Sequence, residues 1–259
     1  MELGLAGRKA LICASSKGLG FACATSLARE GAEIVINGRD PDQLAAAKAD
    51  LEANFKRPVG AVAADINTAD GRAALLAACP EADILINNNM GPPPGDFLGF
   101  EHDQWIEAIE ANMLAALMMI RGVLPGMQAR KFGRIINITS AMVKSPRPHM
   151  TLSTAARAGL TAACKGLSRQ VVVDNVTINN LLPERFDTDR QKFMAERIMA
   201  KYDVDMEEAR RRIASTLPAN RFGKPIEFGD TCAFLCSDQA GFMTGQNLQL
   251  DGGAYEGLI

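Results

Sequence analysis

The sequence is poor in the residues that bind metal ions and form disulfide bonds. It has only two histidines, and none of its six cysteines forms a C-x-x-C motif. Cys232 and Cys236 stand four residues apart in a predicted helix, where such small side chains usually belong to the core. The sequence therefore predicts neither a zinc site nor a disulfide framework, and we expect no metal in the active site.

The sequence also lacks the features of nucleic-acid-binding, membrane and exported proteins. Its formal net charge of -2 provides no basic surface for a nucleic acid. We find no apolar run of the ~18 residues that are needed to cross a bilayer. The first residues, MELGLAGRKALICASSKGLG, lack the basic start, apolar stretch and cleavage site of a signal peptide. We expect a cytoplasmic protein with no nucleic-acid or membrane partner.

What the sequence does contain is a regular alternation of short apolar segments and longer helical ones. Near-continuous apolar runs are typical of strands that are buried on both faces of a parallel sheet. The alternation predicts an α/β fold with a doubly wound parallel sheet of the Rossmann type, formed as one domain over residues 1–259. The predicted strands are RKALICA (8–14), AEIVING (32–38), VGAVAAD (59–65), ADILINN (82–88), GRIINITS (133–140), NVTINNLL (175–182) and NLQLDGG (247–253).

One segment differs in composition from the rest of the chain. Residues 184–224 are rich in Arg, Lys, Asp and Met and have a helical pattern. Mobile segments of this kind often cover the site of an enzyme. We therefore expect residues 184–224 to form a helical lid rather than a second domain.

A glycine-rich loop joins the first predicted strand to the first predicted helix. There the free N–H groups of the helix N-terminus point towards an anion such as a pyrophosphate, and glycines let the backbone approach it. Two glycines are a weak signal alone, but the strand–loop–helix context favours a dinucleotide site. The predicted contacts of this loop are Ser15, Ser16, Lys17, Gly18, Leu19 and Gly20.

The end of the second predicted strand indicates which dinucleotide binds. An acidic residue there would bind the ribose hydroxyls and repel a 2′-phosphate, but this chain has Asn37-Gly38-Arg39. The planar guanidinium of Arg39 suits a phosphate, and Lys17 offers a second positive charge that we expect on the same side. The sequence therefore predicts NADPH (NADP) as the cofactor in preference to NADH.

The order of the motifs resembles that of the short-chain dehydrogenase/reductase family, close to its beta-ketoacyl carrier-protein reductases. The resemblance extends from about Leu5 to Gly253, which is nearly the whole chain. It is carried by the glycine loop and by a series of polar or special residues near the ends of successive strands and in the long helix, namely Asp65, Asn87, Asn88, Asn112, Ser140 and Pro183.

The resemblance implies which residues hold the cofactor. Asp65 would hydrogen-bond the adenine, Asn87 would lie by the adenine ribose, and Thr188 would reach the nicotinamide end. Further contacts are implied for Ile66, Asn88, Arg157 and Pro183.

Three positions near these contacts depart from the family pattern. The chain has Cys13-Ala14 where the family has Thr-Gly, Asn89-Met90 where it has Ala-Gly, and Glu184 where it has Gly. Each change adds bulk near the expected backbone contacts of the cofactor. We expect cofactor binding to be weaker or shifted on an intact scaffold.

The resemblance also implies a catalytic set, which is altered in this chain. In the family a serine polarises the substrate carbonyl, a tyrosine transfers the proton, a lysine binds the nicotinamide ribose, and an asparagine holds a relay water. Ser140 and Asn112 match the serine and the asparagine, but Ser153 replaces the tyrosine and Arg157 replaces the lysine. A serine is too weak an acid and an arginine too strong a base to transfer this proton, and a general acid contributes roughly 10²–10⁴ in rate.

The altered set leaves three functions open. The first is carbonyl reduction with a substitute acid, for which His149, Lys144 and Tyr202 are candidates. The second is reduction of a conjugated enone, in which hydride adds to carbon and leaves an enolate that needs stabilisation more than immediate protonation. The third is a catalytically weak or inactive NADP(H)-binding subunit that has kept the fold.

A second resemblance bears on the enone alternative. The chain resembles the reductases of bacilysin biosynthesis within the family. The shared features are GRIINI (133–138), Lys144, Ser153 in the tyrosine's position, and Thr188-Asp189-Arg190 at the start of the lid.

The segments predicted around the pocket indicate the substrate class. The residues Pro92–Leu98, Ala141–Met150 and 184–216 are apolar with several positive charges, from Lys144, Arg147, Arg185 and Arg190. We expect a small, partly hydrophobic and anionic substrate. The family resemblance further implies a homotetramer or homodimer built on the helices 102–130 and 151–173.

Overall fold

The strands form one seven-stranded sheet in which every pair of neighbours is parallel. The computed structural model describes residues 2–258. The strand order is β3-β2-β1-β4-β5-β6-β7, so the direction of winding reverses between β1 and β4. This confirms the predicted doubly wound α/β fold. The strands are β1 (Lys9–Ile12), β2 (Glu33–Gly38), β3 (Gly60–Ala63), β4 (Ile84–Asn87), β5 (Gly133–Ile138), β6 (Val176–Pro183) and β7 (Asn247–Leu250).

Helices cover both faces of the sheet. Their bounds are α1 (Gly18–Arg29), α2 (Pro41–Phe55), α3 (Ala69–Ala78), α4 (His102–Ile109), α5 (Ala115–Ala129), α6 (Thr151–Val171), α7 (Asp189–Tyr202), α8 (Met206–Ala214) and α9 (Pro225–Cys236). Side chains of α1, α2 and α9 pack on one face of the sheet, and those of α3, α5 and α6 pack on the other.

Alternation along the strands divides the core into two layers. In β4, Ile84 and Ile86 belong to the layer under α1 and α9, whereas Leu85 belongs to the layer under α5 and α6. All three are fully buried. Successive side chains of a strand point to opposite faces, so a strand covered by helices on both faces needs an unbroken apolar sequence.

Four asparagines form a hydrogen-bonded ladder across the carboxyl half of the sheet. Asn87, Asn137, Asn180 and Asn247 occupy matching positions on β4, β5, β6 and β7. Each side-chain amide donates to the next carbonyl along the row, over 2.9, 2.9 and 2.7 Å. The sequence analysis did not identify this ladder, which satisfies amides inside an apolar core.

The lid segment has a small core of its own. Helices α7 and α8 pack around Ala195, Ala209 and Ile213, which form a cluster separate from the two sheet layers. A helix pair that is supported mainly by its own contacts can move with little disturbance of the sheet. This arrangement agrees with the helical lid expected at residues 184–224, whose motion remains a prediction.

A continuous helical stretch runs from His102 to Ala129 through α4 and α5. By length and composition alone this stretch meets the requirements of a membrane span, which the inspection of apolar runs in the sequence did not predict, and 33% of its most apolar window is buried. The core helices of soluble proteins meet the same requirements. Ile106 and Met118 are among its exposed apolar side chains, and an exposed apolar face here fits the predicted association of chains through residues 102–130.

We predict that Asn137→Ala lowers the free energy of unfolding by about 2–4 kcal/mol, because it removes the 2.9 Å acceptor of the buried Asn87 amide and the 2.9 Å donor to the Asn180 side-chain oxygen. The measurement is urea unfolding followed by circular dichroism. The matched control is Asn247→Ala at the half-buried end of the ladder, which removes one ladder bond instead of two, so we expect about half the loss. Equal losses for the two variants would show that the ladder does not support the sheet.

Candidate active site

The glycine loop between β1 and α1 has the shape of an anion cradle. A Cβ atom on Gly20 would lie 2.4 Å from the carbonyl oxygen of Ala14, so no larger residue fits without a shift. Gly18 has a φ of 60°, a conformation that glycine adopts without strain. No side chain caps the helix start at Lys17, which leaves the first N–H groups for an anion. The loop therefore fits the pyrophosphate of a dinucleotide.

The loop is held in this shape by its serines and by two asparagines. Ser15 is buried and its hydroxyl donates to the carbonyl of Ile12 over 2.7 Å. The Ala14 amide donates to the side chain of Asn37 over 3.0 Å, and the Asn88 amide donates to the carbonyl of Ala14 over 2.9 Å. Ala14 itself has a φ of 43°, which is a strained conformation for a residue other than glycine. These bonds hold it there.

The neighbouring asparagines Asn87 and Asn88, both expected to contact the cofactor, have different surroundings. Asn88 lies at the loop, as the resemblance implied. The side chain of Asn87 is instead buried in the sheet and donates to Asn137. The ladder uses the Asn87 amide, so only the backbone of Asn87 remains for the predicted position by the adenine ribose, which stays a prediction. Asn89, whose bulk departs from the family, donates to Asn67 over 2.7 Å and to the Ala111 carbonyl over 2.8 Å.

The predicted adenine end is formed by residues that follow β2 and β3. The Arg39 guanidinium lies 3.9 Å from the Asp65 carboxylate, and the Arg39 side chain is 62% exposed. Asp65 also accepts from the Asn67 amide over 2.9 Å. Asn37 does not face this end, since its amide donates to the carbonyls of Val62 and Ala64 within the sheet. Arg39 is thus the cation that the end of β2 offers to a ligand.

The start of the lid lies directly over the glycine loop. A Cβ atom on Gly18 would lie 3.9 Å from the methyl group of Thr188, and Lys17 and Asp189 form an ion pair at 3.7 Å. Lys17 therefore points towards the lid, whereas Arg39 points towards Asp65. We expected both cations to face one phosphate. For Lys17 this requires that its ion pair with Asp189 breaks, so the shared contact stays a prediction.

Asn112 lies in an irregular part of its long helix. Residues Glu110–Leu114 form a π-helical turn between α4 and α5, and such turns often mark functional sites. The buried Asn112 amide donates to the carbonyl of Met90 over 3.4 Å. It lines a small pocket of about 20 Å³, which is enough for one water molecule. The pocket is lined by Ile66, Asn87, Asn88, Asn89, Ala111, Asn112, Ala116, Ile138, Arg157 and Leu160.

Ser153 and Arg157 meet on one face of α6. The Arg157 guanidinium donates a hydrogen bond to the buried Ser153 hydroxyl. The guanidinium also lies against Gly91, where a Cβ atom would be 2.9 Å from one of its nitrogens. Burial, with the positive charge of Arg190 as a second cause, lowers the pKa of Arg157 from 12.5 to about 10. Arg157 therefore stays positively charged at neutral pH.

Ser140 is well positioned at the carboxyl edge of the sheet. It follows β5 and caps the short helical turn Ala141–Val143, where its hydroxyl accepts from the Met142 amide over 3.2 Å. Ligands of open α/β sheets bind at this edge. Ser140 is half-buried, so its hydroxyl hydrogen can be donated to a substrate oxygen while Met142 occupies one lone pair.

The three predicted proton donors have different surroundings. His149 is exposed, and its carbonyl accepts from the Gly95 amide over 3.0 Å. Lys144 is half-buried one turn after Ser140. Tyr202 ends α7, a helix whose N-cap is Thr188 beside the glycine loop. A rise of 1.5 Å per residue puts Tyr202 roughly 20 Å along the helix from that loop, so the structure does not bring it to the site.

Glu184 changes the predicted charge of the pocket. Its side chain is 4% exposed and forms ion pairs with Arg147 at 3.0 Å and with Arg185 at 3.3 Å. Two of the four cations that predicted an anionic substrate are thus bound to one buried carboxylate. The cations that remain for a ligand are Lys144 and Arg190, together with Arg157. Sequence reasoning treated Glu184 as added bulk, and only its position shows that it pairs.

Comparison with known proteins gives consistent results. A family model described as enoyl-(acyl carrier protein) reductase matches residues 13–255. The NADPH-dependent reductase BacG of Bacillus subtilis (strain 168) is 32% identical over 97% of this chain and 99% of its own length. The similarity to this reductase thus extends over almost all of both sequences.

Two solved structures share the whole fold. The L-sorbose reductase of Gluconobacter frateurii, solved with NADPH and L-sorbose, is 30% identical with a TM-score of 0.95 and full coverage of both chains. YwfH, an NADPH-dependent reductase involved in bacilysin biosynthesis, is 31% identical with a TM-score of 0.92, covering 98% of this chain and 100% of its own. These likenesses agree with both resemblances found in the sequence, and this chain belongs to the short-chain dehydrogenase/reductase family.

Proposed function

We propose that this protein is an NADPH-dependent reductase that reduces the conjugated double bond of a small anionic enone. The observation that carries the proposal is the Ser153–Arg157 pair on α6. This pair provides a lasting positive charge where the family has a proton-transferring tyrosine and its lysine. A site that keeps a cation but no phenol at this position suits a reaction that produces an anion.

The cofactor has a suitable cradle. The glycine loop supports binding of the pyrophosphate, and Arg39 supports binding of the 2′-phosphate, because a guanidinium forms two parallel bonds to such a group. The matching relatives BacG, YwfH and the L-sorbose reductase are NADPH-dependent or NADPH-bound. When bound, NADPH supplies the hydride.

The residues of the chain then act on the substrate oxygen. Addition of hydride to the β-carbon of an enone moves negative charge to the oxygen. Ser140 donates a hydrogen bond to that oxygen, and the charge of Arg157 lowers the energy of the enolate. Because Arg157 is half-buried, its charge is less screened than that of an exposed arginine. Lys144 and Arg190 attract the anionic group of the substrate.

Carbonyl reduction is the second candidate. It is favoured by the likeness to the L-sorbose reductase, which was solved with a ketose substrate. It requires an acid that protonates the alkoxide at once, since an alkoxide is far more basic than an enolate. A panel that pairs each enone with its saturated ketone separates the two functions by the rate of NADPH oxidation. Binding of NADPH without oxidation by any acceptor would favour the inactive subunit instead.

We predict that Arg39→Ala weakens NADPH binding by roughly 10–100-fold and leaves NADH binding unchanged, because one charged hydrogen bond to phosphate contributes about 1.5–3 kcal/mol. The measurement is a fluorescence titration with each nucleotide. Lys48→Ala on α2 is the control, since Lys48 is paired with Glu52 and away from the strand end. Equal affinity of the wild-type protein for NADPH and NADH would contradict the assignment of the cofactor.

We predict that Ser140→Ala lowers turnover by ~10²–10³ while NADPH binding stays nearly intact, because the variant loses a hydrogen bond to the developing oxyanion. Single-turnover oxidation of NADPH with the best enone is the measurement. Ser153→Ala is the matched control: its hydroxyl is buried and bonded to Arg157, so its loss should cost less. If Ser140→Ala keeps full activity, another group holds the oxygen.

We predict that Ser153→Tyr alone does not produce an active ketone reductase. Ser153 is buried against Arg157, so a phenol has to displace the guanidinium, which cannot take the lysine's place as a compact ammonium. The double variant Ser153→Tyr with Arg157→Lys is the comparison, and ketone-dependent NADPH oxidation is the measurement. A large gain from Ser153→Tyr by itself would show that only the proton donor was missing.

A further inference from the structure

Two residues that are far apart in the sequence meet beside the candidate active site. The Lys144 ammonium lies 5.5 Å from the centre of the Tyr255 ring. Lys144 ends the turn that Ser140 begins, and its amide donates to the carbonyl of Ala141 over 3.1 Å. A phenol and an ammonium are therefore neighbours here, although neither is at the family's position for such a pair.

The turn after β7 holds Tyr255 in this position. Both oxygens of the Asp251 carboxylate accept backbone hydrogen bonds, from Gly253 and from Tyr255, each over 3.0 Å. The carbonyl of Gly252 accepts from the Ala219 amide over 2.9 Å and so ties the turn to the lid segment. The segment with Tyr255 is thus anchored on two sides.

This turn belongs to the same edge of the sheet as Ser140. β5, β6 and β7 are parallel neighbours, so the residues that follow them leave the sheet side by side. The Glu184 amide, just after β6, donates to the Leu250 carbonyl at the end of β7 over 3.1 Å. Glu184 also binds Arg147 of the loop that carries Lys144. The ends of all three strands are connected around the predicted substrate.

We propose that Tyr255 is the proton donor of the reductase, and that Lys144 supports it. The assignment rests on the proposed function and deepens it. A general acid contributes most when a compensating charge stands beside it, because the conjugate base left behind is then stabilised. An ammonium near the ring stabilises a phenolate, and it does so without contact with α6. The pair therefore supplies the proton that completes enone reduction, while Arg157 stabilises the enolate before it is protonated.

Two C–H bonds form in the reaction. With NADPH bound, the substrate would take hydride at its β-carbon and become an enolate, and the cofactor would become NADP⁺. The O–H bond of Tyr255 then breaks, and its proton forms a C–H bond at the α-carbon as the enolate returns to a carbonyl. Tyr255 is half-buried, so water can return a proton to the phenolate before the next turnover.

The sequence contains one other tyrosine, which serves as a control. Tyr202 is 52% exposed at the far end of α7. It also has cations near its ring, with the Lys201 ammonium 5.0 Å and the Arg212 guanidinium 5.6 Å from the ring centre. It therefore matches Tyr255 in chemistry and differs in location.

The experiment compares the wild-type protein with Tyr255→Phe, Tyr202→Phe and Lys144→Met. Turnover is measured at saturating NADPH with the best acceptor, NADPH affinity by fluorescence titration, and folding by thermal melting. For Tyr255→Phe we expect a turnover loss of roughly 10²–10³-fold, with unchanged NADPH affinity and melting temperature. For Lys144→Met we expect a smaller loss, and for Tyr202→Phe none.

The outcomes separate this assignment from the proposed function. If the wild-type protein is active and Tyr255→Phe keeps its turnover, Tyr255 is not the donor and the reductase function stands. A loss of NADPH affinity or of melting temperature that accounts for the lost turnover would also overturn the assignment. If none of the tested acceptors leads to NADPH oxidation by the wild-type protein, both the proposed function and the assignment of Tyr255 are wrong.

Discussion

The asparagine ladder across β4 to β7 is the constraint on which the rest of the site depends. Side chains at matching positions of neighbouring parallel strands lie within hydrogen-bonding reach of one another. Asn137 accepts a hydrogen bond from Asn87 and donates one to Asn180, and its amide also contacts the sulfur of Cys164 on α6. A buried amide without such partners costs several kilocalories. The ladder therefore keeps the four strands in one register.

That register decides which residues reach the carboxyl edge together. Asn88, Ser140 and Glu184 follow the ladder asparagines of β4, β5 and β6 by one, three and four residues. They therefore leave the sheet at neighbouring points. Asn88 then holds the glycine loop through the Ala14 carbonyl. Hydrogen bonds within the protein, rather than contacts with a cofactor or substrate, thus align the glycine loop with Ser140 and Glu184. A shift of one strand by one residue would separate them.

Ion pairs of unequal strength lie at two points near the start of the lid. At its start, Glu184 is buried and paired with Arg147 and Arg185, and removing one partner of a buried pair is costly. Further along, Lys17 and Asp189 are both exposed at 3.7 Å, and such a pair contributes little. A ligand phosphate near the glycine loop can compete for Lys17. These contacts predict a lid that is held firmly at Glu184 and released more easily at Asp189.

The sequence by itself determined the fold, the glycine loop and the altered Ser153–Arg157 pair, because strand–helix alternation and residue spacing are local properties. It did not reveal that Asn87 points into the sheet, that Glu184 pairs with two arginines, or that Tyr255 meets Lys144. These contacts join residues that are distant in the chain. Only the strand order and the paths of the loops bring them within a few ångströms, so the tertiary structure alone decided them.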